Sequence, residues 1–336
     1  MFSLAHKALM HCEPEVAHDI TIGFLARTQR TLLASTYRQT LPAKPVEVWG
    51  MTFPNPVGLA AGLDKNGQCV DAFQQMGFGF VEIGTVTPVG QPGNPKPRLF
   101  RLPEKQAIIN RMGFNNHGVD FLIERVKEAK RSGIVGINIG KNKDTPEENA
   151  LDDYLICLRK VYAYADYITV NISSPNTPGL RNLQYGETLT NLLQGLKAEQ
   201  ETLAQASQRY VPIAVKIAPD MNEEEIRAVA QTLLDTGMDG VIATNTTLSR
   251  DAVQGLKHAE EAGGLSGAVL TQQSLNVTQQ LASVLQGKIP IISVGGIGDA
   301  ASAQARLDAG ASLVQVYSAF IYQGPALVKQ IVEGIR

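Results

Sequence analysis

The sequence predicts an α/β protein: a (β/α)8 TIM barrel over residues 46–336, preceded by an N-terminal helical extension over residues 1–41. Three observations predict it. Strand and helix patterns alternate eight times in about 290 residues after Val46, which favours a closed barrel over an open doubly wound sheet. Several strands place polar residues opposite bulky ones, so one face can pack on helices while the other lines a barrel interior. Glycine-rich turns follow the sixth and seventh strands, where barrels commonly build a phosphate site.

Composition narrows the function classes. An apolar share of 44% and a charged share of 18% imply a sizeable core rather than disorder. The net charge of -2 leaves no basic footprint and argues against a nucleic-acid partner. Cys12, Cys69 and Cys157 lie far apart with no CxxC spacing, which predicts neither zinc nor disulfides and points to a reducing cytoplasm. No apolar run approaches the roughly 20 residues of a membrane span. The single Lys7 and the break at Glu13-Pro14-Glu15 fit a cleaved signal peptide poorly.

In the extension, Pro14 suits the first turn of a helix. Val16, Ile20 and Phe24 recur at helical spacing beside Ala17, Thr21 and Leu25, giving an apolar face, and Phe2, Ala5 and Leu9 form a shorter one. The segment reads either as a cap packed on the barrel or as an amphipathic element that meets a membrane or lines an apolar passage. Leu41-Pro-Ala-Lys-Pro45 is a stiff boundary. Val46–Phe53 then reads as a hairpin. The eight predicted strands are 57–60, 80–84, 134–139, 168–172, 212–217, 240–244, 289–294 and 312–316. Predicted helices lie at 68–76, 119–131, 147–161, from 187, 222–234, 269–285, 300–309 and up to 335. Residues 85–116 read as one long Pro- and Gly-rich loop.

The strands indicate where chemistry gathers. In Val211–Ala218 the bulky Val211, Ile213, Val215 and Ile217 share one face, which leaves Ala214 and Lys216 facing the barrel interior. An ammonium there requires an anionic partner. Asn138 and Asn171 occupy equivalent inward positions, so three polar groups converge near the C-terminal mouth and imply a ligand. The fourth strand runs into the polar loop Ser173-Ser-Pro-Asn-Thr-Pro-Gly179, which is either a plain surface loop or part of that mouth. Ser293–Gly298, Val316–Ala319 and Gly263–Gly267 supply glycine turns suited to phosphate. Ile108–Asn116 is a second anion-reading element. Asp64-Lys65 is either a surface ion pair or a lysine aimed at a bound carboxylate.

The motifs Ala60–Lys65, Glu82–Pro88, Ile109–Asn116, Gly136–Lys143, Val170–Arg181, Val294–Ile297 and Val316–Ser318 resemble the dihydroorotate dehydrogenase family over essentially the whole chain. The helical extension, and a serine rather than a cysteine at position 174, resemble its quinone-using class 2 branch. The resemblance implies oxidation of (S)-dihydroorotate to orotate in pyrimidine biosynthesis, with one FMN per subunit and ubiquinone or menaquinone as final acceptor. It implies FMN on Ala61, Gly62, Leu63, Asp64, Lys65, Thr85, Asn138, Asn171, Lys216 and Thr244, and its phosphate on Gly267, Gly296, Tyr317 and Ser318. It implies orotate on Lys65, Asn110, Arg111, Met112, Gly113, Phe114, Asn171, Asn176, Asn245 and Thr246, with Ser174 as base and Thr177 in a proton relay. It places the quinone near His18, Arg101 and Tyr317. It further implies a monomer attached peripherally to the cytoplasmic side of the inner membrane. The competing readings are a soluble class 1-like dehydrogenase with another acceptor, a flavin-free isomerase or aldolase, and a non-catalytic membrane module. The loop around Ser174 reads as a lid, with Gly179 and Gly186 as hinges.

Overall fold

A computed structural model of the chain describes the backbone from Phe2 to Arg336 and the side chains from His6 onward. Phe2 and Ala5, from the first predicted apolar face, lie outside the described side chains. Helices α1 (Phe2–His11) and α2 (Pro14–Thr28) precede the barrel. Pro14 occupies the first turn of α2, and the Glu13 carboxylate accepts from Val16 N at 2.8 Å, so the helix start is capped. The hairpin of β1 (Val46–Val48) and β2 (Met51–Phe53) follows.

Eight parallel strands close the barrel: β3 (Val57–Leu59), β4 (Phe80–Val86), β7 (Ile134–Ile139), β8 (Tyr167–Asn171), β9 (Ile213–Ile217), β10 (Gly240–Ala243), β12 (Ile291–Val294) and β13 (Leu313–Val316). The connecting helices are α3 (Val70–Gln75), α4 (Val119–Glu128), α5 (Ala150–Val161), α6 (Gly186–Ser207), α7 (Glu223–Asp235), α8 (Thr271–Leu285) and α9 (Ala300–Asp308). The chain ends with α10 (Ser318–Gln323) and α11 (Ala326–Gly334). Local chemistry sets several of their starts. Asn222 with Glu225, and Asp299 with Ser302, form reciprocal caps on α7 and α9.

The predicted long loop of residues 85–116 is a misreading. It contains β5 (Leu99–Leu102) and β6 (Ala107–Asn110), which pair antiparallel with each other. β6 also pairs with β11 (Gly264–Gly267), giving a three-stranded sheet beside the mouth. The β6–β11 pairing joins segments more than 150 residues apart, so no local pattern announces it.

Two cores result. The outer one lies between the barrel strands and the helices, and includes Leu59, Ile83, Ile137, Val170, Val215, Val241 and Val314. The inner one fills the lower barrel with Phe80, Tyr167, Ala214, Ile242, Ile292 and Leu313, and is plugged from below by Val48 and Phe53 of the hairpin. Gly136 faces this interior, where a Cβ would lie 2.2 Å from the Tyr167 ring. Tyr167 OH donates to Glu82 Oε2 at 2.8 Å, Gln315 Nε2 to the same oxygen at 2.8 Å, and Asn138 Nδ2 to Glu82 Oε1 at 2.8 Å. A buried carboxylate thus separates the apolar floor from the polar mouth.

The extension seats on the barrel through Ala17, Leu25 and Thr28, while Val16, Ile20 and Phe24 face outward at 48%, 53% and 46% exposure. Leu32 and Leu33, in the turn that follows, are 94% and 53% exposed. The apolar stripe therefore does not form the seat. Among the described residues no helix is long and apolar enough to cross a membrane.

Candidate active site

The barrel mouth opens into a cleft whose empty space, counted out into open solvent, is about 1190 Å³. Strand ends deliver its polar groups. β9 carries Lys216 inward, level with Asn171 on β8. Lys216 is 6% exposed, and its ammonium has no hydrogen-bond partner among the described residues. Burial holds its ammonium below the usual lysine range, and the Glu82 carboxylate partly offsets that. The walls include Lys65 and Lys216 and, among the described residues, no carboxylate, so their chemistry calls for anionic ligands. Burial likewise pushes the Lys65 amine down to about 8, against Glu15, Asp19 and Asp64, which raise it.

Asparagines join the two sides of the mouth. Asn171 Nδ2 donates to Thr85 Oγ1 at 3.2 Å, and Thr85 Oγ1 donates to Asn138 Oδ1 at 2.6 Å. Asn171 Oδ1 accepts from Ser173 N at 3.2 Å and from Asn245 Nδ2 at 3.4 Å. Asn245 Nδ2 also donates to Ser173 Oγ at 3.0 Å. Asn176 Nδ2 reaches Asn110 O and Oδ1 at 3.1 and 3.2 Å, tying the β8 loop to the end of β6. Ser174 is 6% exposed, lines the cavity, and accepts from Asn176 N at 3.2 Å. Buried in the wall, Thr246 Oγ1 has no partner among the described residues. Met112, Gly113 and Phe114 form another wall, reached from β6.

The opposite end is made of backbone. Gly267, Gly296, Tyr317 and Ser318 line it, with Thr244 Oγ1 hydrogen-bonded to Ser274 Oγ at 2.8 Å. Gly296 has φ +74°, and a Cβ there would lie 2.2 Å from Thr271 N, so only glycine lets these two turns meet. Ala61 and Gly62 complete that side, and Tyr317 OH donates to Gly62 O at 3.5 Å.

Some predicted residues are elsewhere. Leu63 is core, 8% exposed. Asp64 is no surface ion pair: its buried carboxylate accepts from Gln68 N at 2.8 Å and Cys69 N at 2.7 Å, and so shapes the turn into α3. Arg111 turns away from the cavity to Glu261 at 2.7 Å and stacks over Phe100. Asn138 lies one layer below the cavity, between Thr85 and Glu82. Thr177 lies just behind the wall, its Oγ1 buried and without a partner among the described residues. His18 and Arg101 also lie outside the cavity. Arg101 donates to Met10 O and Cys12 O at 3.1 and 2.8 Å, tying β5 to the end of α1 and the link that follows it. Burial, with the Lys65 charge, pushes His18 down to about 3. The predicted hinges Gly179 and Gly186 both hold φ above +50°.

Among the wall and supporting residues that escaped the sequence reading are Gln315, Ser266 and Glu82. Gln315 and Glu82 stand at inward positions of apolar strands, the same signal that singled out Lys216.

The family model for dihydroorotate dehydrogenase matches residues 44–336. A protein of Pseudoalteromonas atlantica named dihydroorotate dehydrogenase (quinone) is 60% identical over 335 residues, covering 100% of both chains. One of Idiomarina loihiensis with the same name is 61% identical over 335 residues, again with 100% of both covered. The crystal structure of DHODH from Eimeria tenella in complex with ferulenol superposes with a TM-score of 0.88 at 38% identity, covering 96% of this chain and 90% of that one.

Proposed function

The chain belongs to the dihydroorotate dehydrogenase family, and from that premise we propose how its residues oxidise (S)-dihydroorotate to orotate, with a membrane quinone as final acceptor. The observation that carries this reading is a cavity walled by two lysines, a connected set of asparagines and glycine turns, with no carboxylate among the described residues. The donor set fits FMN. Gly267, Gly296, Tyr317 and Ser318 would hold its phosphate, while Ala61, Gly62, Thr85, Asn171, Lys216 and Thr244 would hold its ring and ribityl chain. Asn138 would act one step back, by orienting Thr85. A bound FMN would supply the acceptor for the hydride that leaves C6.

The remaining roles fall to the chain. Lys65 pairs with the orotate carboxylate, and Asn110, Asn171, Asn176, Asn245 and Thr246 meet its amide-like ring edge. Met112, Gly113 and Phe114 exclude water. Ser174 takes the C5 proton. A serine is a weak base, so its own hydroxyl proton passes to the relay as the C5 proton arrives, and the Asn176 N–H at 3.2 Å stabilises the negative charge that builds on Oγ meanwhile. Thr177, three residues on, offers its unpartnered Oγ1 as the next acceptor in the relay. A proton leaves C5 and a hydride leaves C6, which yields the C5–C6 double bond of orotate.

The outward stripe of Val16, Ile20, Phe24, Leu32 and Leu33 supports peripheral attachment to a membrane, from which the quinone arrives. His18, neutral across the physiological range, Arg101 and Tyr317 are the residues assigned to its head group. Attachment to the cytoplasmic side of the inner membrane and a monomeric state complete the reading. The test is a visible spectrum of the purified protein. A flavin band that bleaches on anaerobic dihydroorotate and returns on adding quinone is the expected result. A colourless protein, or a band that dihydroorotate leaves unchanged, overturns the reading.

A further inference from the structure

The segment between β4 and β5 forms a bracket from the extension to the wall around Met112 and Asn176. Glu15, in the first turn of α2, is 4% exposed. Its carboxylate accepts from Arg98 Nη2 at 2.6 Å and from Nε at 3.1 and 3.2 Å, a two-pronged contact that suits a guanidinium. The other arm of Arg98, Nη1, donates to Pro92 O at 2.6 Å and Asn94 O at 2.8 Å. Asn94 is then bound to the cavity wall. Its backbone N–H donates to Met112 O at 3.0 Å, and its side-chain amide to Arg111 O at 3.0 Å and Asn176 O at 3.4 Å. There is no slack in this packing: a Cβ on Gly93 would lie 2.2 Å from Met112 O and 2.8 Å from Arg98 Nη1.

We propose that Glu15 and Arg98 are positioning residues for the dihydroorotate pocket, transmitting the seating of the N-terminal helices through Asn94 to the backbone that carries Met112 and Asn176. The inference rests on the reading of the cavity given above. Its physical basis is the burial of both charges. Removing one partner leaves the other charge buried and unpaired, which costs far more than losing a surface pair. The bracket must then open to hydrate it, and Asn94 moves with it. Although burial works against ionisation, Arg98 and the exposed Lys96 hold the Glu15 carboxyl below its usual range, so the pair stays charged at working pH. Coupling of this kind is reciprocal, so orotate in the pocket strengthens the seating of α2.

The test uses the full-length holoenzyme and three variants: Glu15→Gln, Arg98→Lys and Asn94→Ala. Orotate affinity is measured by calorimetry, which involves no quinone step. Glu15→Gln and Asn94→Ala are expected to weaken orotate binding about fivefold or more, with Arg98→Lys close behind. Asn94→Ala is expected to leave α2 seated, with wild-type exchange of its amides. If Glu15 merely props the helix, Glu15→Gln will lower the melting temperature and leave orotate affinity at the wild-type value, which overturns the proposal. Should Glu15→Gln fail to fold, Asn94→Ala decides alone, and unchanged affinity in it is fatal. A wild-type protein that does not bind orotate at all would sink the functional reading instead. The bracket is then judged by hydrogen exchange over residues 110–114, where faster exchange in Glu15→Gln supports it and unchanged exchange overturns it.

Discussion

The outward stripe of α2 and the barrel mouth are inversions of each other. On α2 the groups facing water include Val16, Ile20 and Phe24, beside the charged Asp19 and Arg27. At the mouth the groups shut away from water include the Lys216 ammonium and Thr246 Oγ1, neither with a hydrogen-bond partner among the described residues. Each arrangement carries a cost when taken alone, since exposed apolar area and buried unpaired polar groups are both unfavourable. The fold accepts that cost in both places, and in both an outside partner would remove it. One inversion suits an apolar phase and the other an anionic, hydrogen-bonding ligand. The helix therefore offers area without direction, whereas the mouth offers direction at fixed points.

That contrast can be broken one side at a time. Ser174→Ala should slow flavin reduction by dihydroorotate about 10²- to 10⁴-fold in anaerobic stopped flow, with orotate affinity and vesicle binding retained. An undiminished rate would remove Ser174 from the chemistry. Lys65→Met should weaken orotate binding about 10- to 100-fold by calorimetry, since a buried charge-assisted contact is lost, again without effect on vesicles. Ile20→Glu combined with Phe24→Glu should reverse that pattern. Sedimentation with phospholipid vesicles should fall about tenfold, while orotate affinity stays at the wild-type level. The smallest expected effect comes from pH. Lys65, held at about 8, is protonated below that value and neutral above it. Orotate should therefore bind several-fold more weakly at pH 9 than at pH 7. Over the same interval proton removal by Ser174 should quicken, so affinity and chemical rate should move in opposite directions.

Much of the mouth was legible in the sequence because a β-strand alternates faces. Asn138, Asn171 and Lys216 stand among bulky residues, and the period of two turns each of them inward. The glycine turn of Ser293–Gly298 was legible because its spacing after a strand is local, whereas Gly263–Gly267, predicted as a further turn, holds the strand β11, paired with β6. What escaped depends on distant partners. The β6–β11 pairing joins Ile109 to Leu265, and neither flank hints at the other. Arg111 and Asp64 sit inside motifs shared with the family, yet one turns to Glu261 and the other caps the turn before α3. Sequence spacing fixes where a side chain starts and leaves open which neighbour it meets. The α2 stripe was read correctly as apolar, and its direction was settled by what the barrel surface could accept: the small Ala17 and the Leu25 beside it.

The Glu82 carboxylate has a consequence of a different kind. Tyr167, Asn138 and Gln315 each donate to it at 2.8 Å, and none of the four is exposed. Changing any one strands a charge or a donor in a place water does not reach. Over evolutionary time these four positions are thus not independent sites but one heritable unit. In an alignment of related barrels they should change together or not at all, and a chain that has lost the carboxylate should have replaced the tyrosine and the glutamine in the same lineage.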